Sequence, residues 1–404
     1  MDLVAKIDGM CEIVWIVDAE DSSLGSMSRL LPRLGAVVDT AGHPHEVVAE
    51  QLYDAHLDGV IAFTDRQLPL ASMIGQTHGL AHNPPDVVDR LNNKFTQRSI
   101  LQAAGIPVPA FRKLAKSMDH ATLVANACDL SFPLVVKPLF GDSSRETWKI
   151  GDLTSLISLI EAKFPADRSA AEDFIAEEYL DDRLPPEHQR IGDYVSVESI
   201  VQDGRPVPLA ITGKFPLVPP FRESGNFMPH LLSADEAFEV LSLSVDAALA
   251  IGVQSGALHT EIKFTADGPR VIEVNGRIGG GGIDSLYTRT HGRSLTELAT
   301  GAALGRAVEL VPVLPNEESG PFAYDFFAQP PMEAHRLLSI SASDRILGNV
   351  GAQRVVTNKS PGDAVDWHHG SQDYVVQVGG VAEDRKTLDA VPETIVRSLA
   401  MRFA

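Results

Sequence analysis

Blocks of apolar and polar positions alternate along the first hundred residues. Residues 12–18 form a short apolar run closed by an acid. Residues 26–34 have a helical rhythm, 36–38 are apolar again, 45–55 are helical, and 59–63 return to an apolar run. This β-α-β-α-β order predicts parallel strands with helices on the faces of the sheet. Pro84 and Pro85 open, and Gly105 closes, a predicted helix over 86–104 with Val88, Leu91 and Phe95 as its buried stripe. A stiff connector, 105–109, leads to a strand at 134–137, a helix at 153–164 and a strand at 174–176.

The middle of the chain is richer in hairpins. Runs at 194–202 and 207–214 flank Asp203-Gly204, and runs at 259–264 and 270–275 flank Asp267-Gly268. Both dipeptides are strong hairpin signals. Between them, 234–251 reads as a helix. Beyond about residue 310 the strands shorten, which suggests a smaller C-terminal unit.

The second hairpin carries the most informative chemistry. Side chains alternate along a strand with period two. A turn centred on Asp267 sets Ile262 opposite Ile272 and Glu261 opposite Glu273, with Asn275 on the same face as Glu273. Opposed side chains have Cβ atoms about 5 Å apart, where two carboxylates repel unless a proton or cation lies between them. Two acids and an amide oxygen suit Mg²⁺ bridging nucleotide phosphates. A solvated polar face is the ordinary alternative. Arg277 and the run Gly279–Gly282 tip the balance, because four glycines in a row imply a close backbone approach.

Other positions are suited to anions. Lys137 ends the strand at 134–137, and the polar loop 140–145 with Ser143 and Ser144 offers N–H groups and hydroxyls. Lys94 is a weaker candidate when taken alone. Trp148 and Phe140 are candidates to pack over a closed site. His259 shares a strand face with Glu261 and reads first as a structural histidine. His368-His369 reads as surface.

Composition narrows the classes. With 34 Lys+Arg against 54 Asp+Glu, the formal net charge of -20 disfavours nucleic acid and anionic membranes as partners. Cys11 and Cys128 form neither a disulfide framework nor a CxxC pair. No apolar run reaches membrane-spanning length and residues 1–12 do not resemble a signal peptide, so a cytoplasmic protein is expected. No Walker loop, GxSxG elbow or GxGxxG fingerprint is present.

The order of these motifs resembles the ATP-grasp superfamily over roughly residues 12–305. Asn93-Lys94 with Arg98 and Ala104-Gly105-Ile106-Pro107 is similar to the segment leading into its small lid. Val136-Lys137-Pro138 with loop 141–145 resembles the phosphate-covering lid, and Glu177-Glu178-Tyr179-Leu180 the hinge that reads adenine through backbone groups. Glu261, Glu273 and Asn275 match its metal-binding pattern, and Arg277 its substrate-side arginine.

The resemblance implies an α/β chain with an α+β core. Its units are a parallel-sheet domain over 1–110, a lid over 111–183, an antiparallel catalytic core over 184–310 and a C-terminal subdomain over 311–404. Within the superfamily the chain looks like the carboxylate–amine ligases, especially the L-amino-acid ligases. Gly213-Lys214-Phe215-Pro216, Pro219–Gly225 and Pro229-His230 resemble their substrate loop. A polar insert over 181–191 separates the hinge from Gly192-Asp193, with Asp193 as the ribose-side acid.

The activity implied is ATP-dependent joining of an amino-acid carboxylate to an amine through an acylphosphate, with Mg²⁺ or Mn²⁺. Lys94 and Lys137 would meet the phosphates, Arg277 and Glu223 the substrate, and Arg277, Gly280, Gly281 and His230 the oxyanion. A homodimer is usual in similar families. Two alternatives stay open: an ATP-grasp ligase or carboxylase with a non-amino-acid acceptor, and a nucleotide-binding protein without catalysis.

Overall fold

The computed structural model describes residues 2–404 except 21, 166, 168, 170, 184–189, 314–319 and 342–347. Pro185 and Pro186 of the polar insert therefore lie outside the described residues. A short helix, Asp2–Lys6, precedes β1 (Val14–Val17) and β2 (Ala36–Asp39), which pair in parallel as expected. The apolar run 59–63, expected as a third strand, stays irregular. Its apolar character has another cause. Val60 packs on the cluster around Val48 and Leu52, and Ile61 on the one containing Leu298, Ala299 and Ala302. The helix expected over 26–34 is replaced by two 3-10 segments, Ser22–Arg29 and Leu31–Arg33, interrupted where Gly25 leaves helical geometry and where Pro32 restarts it.

Four strands then form an antiparallel sheet in the order β3-β6-β4-β5. They are β3 (Phe111–Leu114), β4 (Leu134–Pro138), β5 (Trp148–Ile150) and β6 (Phe174–Glu178). Helices His120–Cys128 and Leu153–Lys163 pack on it, burying Leu123, Leu156 and Ile160 against Leu134 and Val136.

The larger sheet has eight strands in the order β11-β10-β7-β8-β9-β12-β15-β14. These are β7 (Tyr194–Gln202), β8 (Arg205–Lys214), β9 (Gly225–Met228), β10 (Gly256–Thr265), β11 (Gly268–Asn275), β12 (Phe322–Ala328), β14 (Ala352–Thr357) and β15 (Val376–Ala382). A separate pair joins β13 (Leu337–Ser339) to β16 (Arg402–Phe403). Strands β12, β14 and β15 of the C-terminal stretch extend the central sheet.

The helix expected at 234–251 forms as Ala234–Ile251. Ser233 and Glu236 close a reciprocal capping box, and the helix buries Ala237, Val240 and Ala247 as it packs on β7, β8 and β11. The helix expected over 86–104 is instead two, Pro85–Asn92 and Lys94–Ala103. Asn93 adopts an extended conformation and accepts from the N–H groups of Phe95 and Thr96 at 3.2 Å, so it caps the second helix and sets Lys94 in its first turn. Among the described residues no helix is long and apolar enough to cross a membrane. A cleft of about 2300 Å³ runs between the two sheets.

Candidate active site

The hairpin arithmetic holds at the carboxylates. β10 and β11 pair antiparallel with Glu261 opposite Glu273 and His259 opposite Asn275. It fails one step further on, where a bulge after Glu261 sets Ile262 opposite Val271 and not Ile272. The freed carbonyl of Ile272 accepts from the guanidinium of buried Arg98.

Most of the expected residues line the one cleft. Lys94, Lys137, Ser143, Ser144, Glu177, Glu178, Tyr179, Leu180, Asp193, Glu223, Glu261, Glu273, Asn275, Arg277, Gly280 and Gly281 all border it. His230 does not. It is 1 % exposed, its Nδ1 accepts from the Leu232 N–H, and burial pushes its pKa down. The expectation that it helps an oxyanion is corrected: the short run Pro229-His230 turns the ring inward.

At one end of the cleft three cations crowd two carboxylates. Lys94 Nζ lies 2.9 Å from Glu273 Oε1 and donates to the Gly141 carbonyl at 2.6 Å. Lys137 Nζ lies 2.8 Å from Glu177 Oε2, and Arg98 Nε 3.0 Å from Glu177 Oε1. Burial opposes the charge on Glu177, yet Arg98 and Lys137 outweigh it and hold its carboxyl below the ordinary range. Burial, aided by Arg98 and Lys94, pulls the Lys137 ammonium down, with Glu177 opposing. A buried cluster with surplus positive charge is suited to phosphate.

The paired acids are each held from one side. Glu273 meets Lys94. Glu261 Oε1 lies 3.3 Å from His259 Nε2, while His259 Nδ1 lies 2.9 Å from Glu198 Oε2. Glu198 is further fixed by the hydroxyls of Ser196 at 2.7 Å and Thr212 at 3.0 Å. Burial opposes protonation of His259, but the two glutamates outweigh it and raise its pKa to about 9. Burial likewise opposes charge on Glu261, and His259 outweighs it, lowering Glu261 to about 2. His259 is therefore more than a satisfied core histidine, because it fixes a carboxylate of the cleft.

The donor set fits a hard cation. Each glutamate spends Oε1 on an ion pair, and Oε2 of each has no ion pair among the described residues. Asn275 Nδ2 donates to the His259 carbonyl at 3.4 Å, which assigns its amide oxygen the acceptor role. Among the described residues no group of three or more His, Cys, Asp and Glu is arranged to hold a metal alone. Two carboxylates and an amide match a cation that completes its shell with phosphate oxygens.

Arg277 follows β11. Its Nε donates to Asp65 Oδ2 at 2.7 Å and its Nη1 to the Ile278 carbonyl at 3.3 Å. Asp65 and its partner are 212 positions apart, and sequence reasoning missed the acid. The glycine run packs tightly beneath. A Cβ on Gly281 or Gly282, both at positive φ, would lie 2.6 Å from Asn226 Nδ2 or 2.5 Å from Asp325 Oδ2.

Three other candidates already have partners. Glu223 pairs with buried Lys214 at 3.0 Å, so its expected grip on a free ammonium meets a cation already in place. Asp193 accepts from Arg183 Nε at 2.9 Å and from the Arg183 N–H. In the hinge, the N–H groups of Glu178 and Tyr179 donate to Ala110 and Pro133, and Lys149 Nζ sits 3.5 Å from the centre of the Tyr179 ring. Phe140 borders the cleft, whereas Trp148 packs within the four-stranded sheet against Phe174.

Known proteins resemble the chain in the same terms. Residues 130–285 match the ATP-grasp domain family. Alanine–anticapsin ligase of Bacillus subtilis is 26 % identical over 270 residues, covering 63 % of this chain and 56 % of that protein. The L-arginine-specific L-amino acid ligase of Bacillus subtilis is 26 % identical over 250 residues, covering 59 % and 56 %. The chain thus matches about half the length of these relatives. The crystal structure of an L-amino acid ligase from Bacillus licheniformis superposes with a TM-score of 0.73 at 20 % identity, covering 97 % of this chain and 93 % of that one.

Proposed function

We propose that this chain uses its ATP-grasp-like segment, residues 130–285, to join an amino-acid carboxylate to the amine of a second amino acid, with ATP converted to ADP and phosphate. One observation carries the reading. Glu261 and Glu273 oppose each other across β10 and β11 within a cleft that also holds Lys94, Lys137 and Arg277.

Each residue has a part. Lys94 and Lys137 meet the nucleotide phosphates, and Arg98, behind them, keeps the surplus positive charge. Glu261, Glu273 and Asn275 would hold Mg²⁺, with Mn²⁺ a substitute; when bound, the ion supplies neutralisation of the phosphate oxygens. Loop 141–145 covers the phosphates. Arg277, fixed through Nε by Asp65, presents Nη2 to the substrate carboxylate.

That carboxylate attacks the γ-phosphorus and becomes an acylphosphate as ADP leaves. The amine then attacks the acyl carbon and phosphate departs. Backbone N–H groups of Gly280 and Gly281 and the Arg277 guanidinium stabilise the oxyanion. The lid keeps water from the acylphosphate. ATP is the phosphoryl donor, so we assign the reaction to the cytoplasm.

The relatives named for alanine–anticapsin and L-arginine ligation support amino acids as the substrate class. Phosphate release over a matrix of amino-acid pairs with ATP and Mg²⁺, with products weighed by mass spectrometry, tests the reading. An amide whose mass is the sum of a pair less water supports it. Phosphate release with bicarbonate plus a heterocyclic amine, and with no amino-acid pair, overturns it.

A further inference from the structure

The C-terminal segment Trp367–Asp373 touches both loops that border the cleft. It consists of two 3-10 turns joined at Gly370. On one side it meets loop 141–146. The Ser371 N–H donates to the Ser143 carbonyl at 2.7 Å, the Glu146 N–H to the His368 carbonyl at 3.1 Å, and Gln372 Nε2 to Ser143 Oγ at 2.9 Å. On the other side it meets the substrate loop. The Glu223 N–H donates to Ser371 Oγ at 2.8 Å, and Gln329 Nε2 donates to the carbonyls of both Glu223 and Ser371 at 2.8 Å.

Ser371 thus spends its N–H on the phosphate loop, its hydroxyl on the substrate loop and its carbonyl on the end of β12. Ser143, Ser371, Gln372 and Glu223 border the cleft together. The phosphate loop needs external support. Ser143, Ser144 and Glu146 have φ of 58°, 57° and 52°, a region in which residues with a Cβ are uncommon. Gly370, with φ of 71°, permits the close docking, because a Cβ there would lie 2.1 Å from the Ser143 carbonyl oxygen and 2.7 Å from the Arg145 nitrogen.

We propose that Ser371 is a positioning residue that couples the substrate loop around Glu223 to the phosphate loop 141–146, so that the two close over the cleft together. The inference rests on the ligase reading for its purpose. An acylphosphate is then shielded only while the loop that lodges the amine is also in place. The C-terminal stretch, in which the sequence offered no motif, acquires a task.

Ser371→Ala removes the hydroxyl and keeps both backbone bonds; Ser371→Thr restores a hydroxyl; Gly370→Ala pushes the phosphate loop away. Hydrogen exchange is followed with and without a non-hydrolysable ATP analogue and Mg²⁺. In the wild-type protein the analogue should slow exchange at 143–146 and at 221–224 together. In Ser371→Ala the slowing should stay confined to 143–146, with the Glu223 amide exchanging about tenfold faster, the effect of one lost hydrogen bond. Ser371→Thr should behave as wild type, and Gly370→Ala should lose the slowing at both loops. Equal slowing at both loops in Ser371→Ala overturns the proposal.

This exchange measurement needs nucleotide binding only, so it stands if no amino-acid pair reacts. The second readout is phosphate released per amide formed. It should rise roughly threefold to tenfold in Ser371→Ala and return to the wild-type value in Ser371→Thr. An unchanged ratio in Ser371→Ala also overturns the proposal, and a wild-type protein that forms no amide overturns the ligase reading instead.

Discussion

Glu273→Gln separates the structural from the chemical role of the paired carboxylates. The substitution keeps the shape of the side chain and removes its charge. Two electrostatic effects of opposite sign follow. Loss of the pair with Lys94, 2.9 Å away, forfeits an attraction of about 6 kcal/mol at an effective dielectric of about 20. Loss of the repulsion from Glu261, its cross-strand partner, returns about 3 kcal/mol for opposed side chains about 5 Å apart. Relief of the desolvation of Glu273, 15 % exposed in this site, returns at least about 1 kcal/mol more.

The remainder is a change in folding stability of no more than about 2 kcal/mol. Activity should respond on another scale. Removing an ionised ligand from a phosphate-bridging cation takes away several kcal/mol of charge neutralisation, about a thousandfold in turnover. The assay is urea unfolding alongside phosphate release. A variant that unfolds with the wild-type protein to within about 2 kcal/mol and turns over about a thousandfold more slowly fits. Unchanged turnover would refute the assignment of Glu273 to the cation.

Arg277→Lys should bind nucleotide within about threefold of wild type and lose product formation by about a hundredfold, because a single ammonium does not reproduce a guanidinium fixed by Asp65; equal product yield would remove Arg277 from the chemistry. Arg98→Met leaves buried Glu177 with Lys137 as its remaining ion-pair partner and frees the bulged carbonyl of Ile272, so urea unfolding should show a loss of about 3–5 kcal/mol. A variant as stable as the parent would contradict the buried cluster. The proton on His259 is held up to about 9 from an ordinary 6.5. It contributes roughly 3 kcal/mol that is fully present below about pH 6.5 and lost as pH rises through about 9. Melting temperature in metal-free buffer should fall between pH 7 and 10, and His259→Asn should flatten that slope.

What the sequence disclosed followed from local rules. Period-two alternation about a turn centred on Asp267 sets Glu261 against Glu273, but nearer the turn the register is one residue off, with Ile262 facing Val271, and the bulge after Glu261 restores the expected pair. The helix Ala234–Ile251 was legible over its whole length, while its capping box of Ser233 and Glu236 emerged with the structure. Distant partners were invisible. Asp65 and Glu198 look like ordinary polar residues until the fold brings them to Arg277 and His259. Residues 59–63 misled because an apolar run satisfied by helices reads the same as one satisfied by a sheet. The helix break at Asn93 was hidden for a related reason: a capping side chain acts on two N–H groups, too local an event to disturb the apolar stripe.

The carboxylate oxygens of the first amino acid decide the central claim. With that carboxylate labelled with oxygen-18, attack on the γ-phosphorus followed by displacement carries one labelled oxygen into the phosphate released. Labelled inorganic phosphate in step with amide formation is the predicted result. Amide formed with unlabelled phosphate, or with the label in AMP, would contradict an acylphosphate in this cleft.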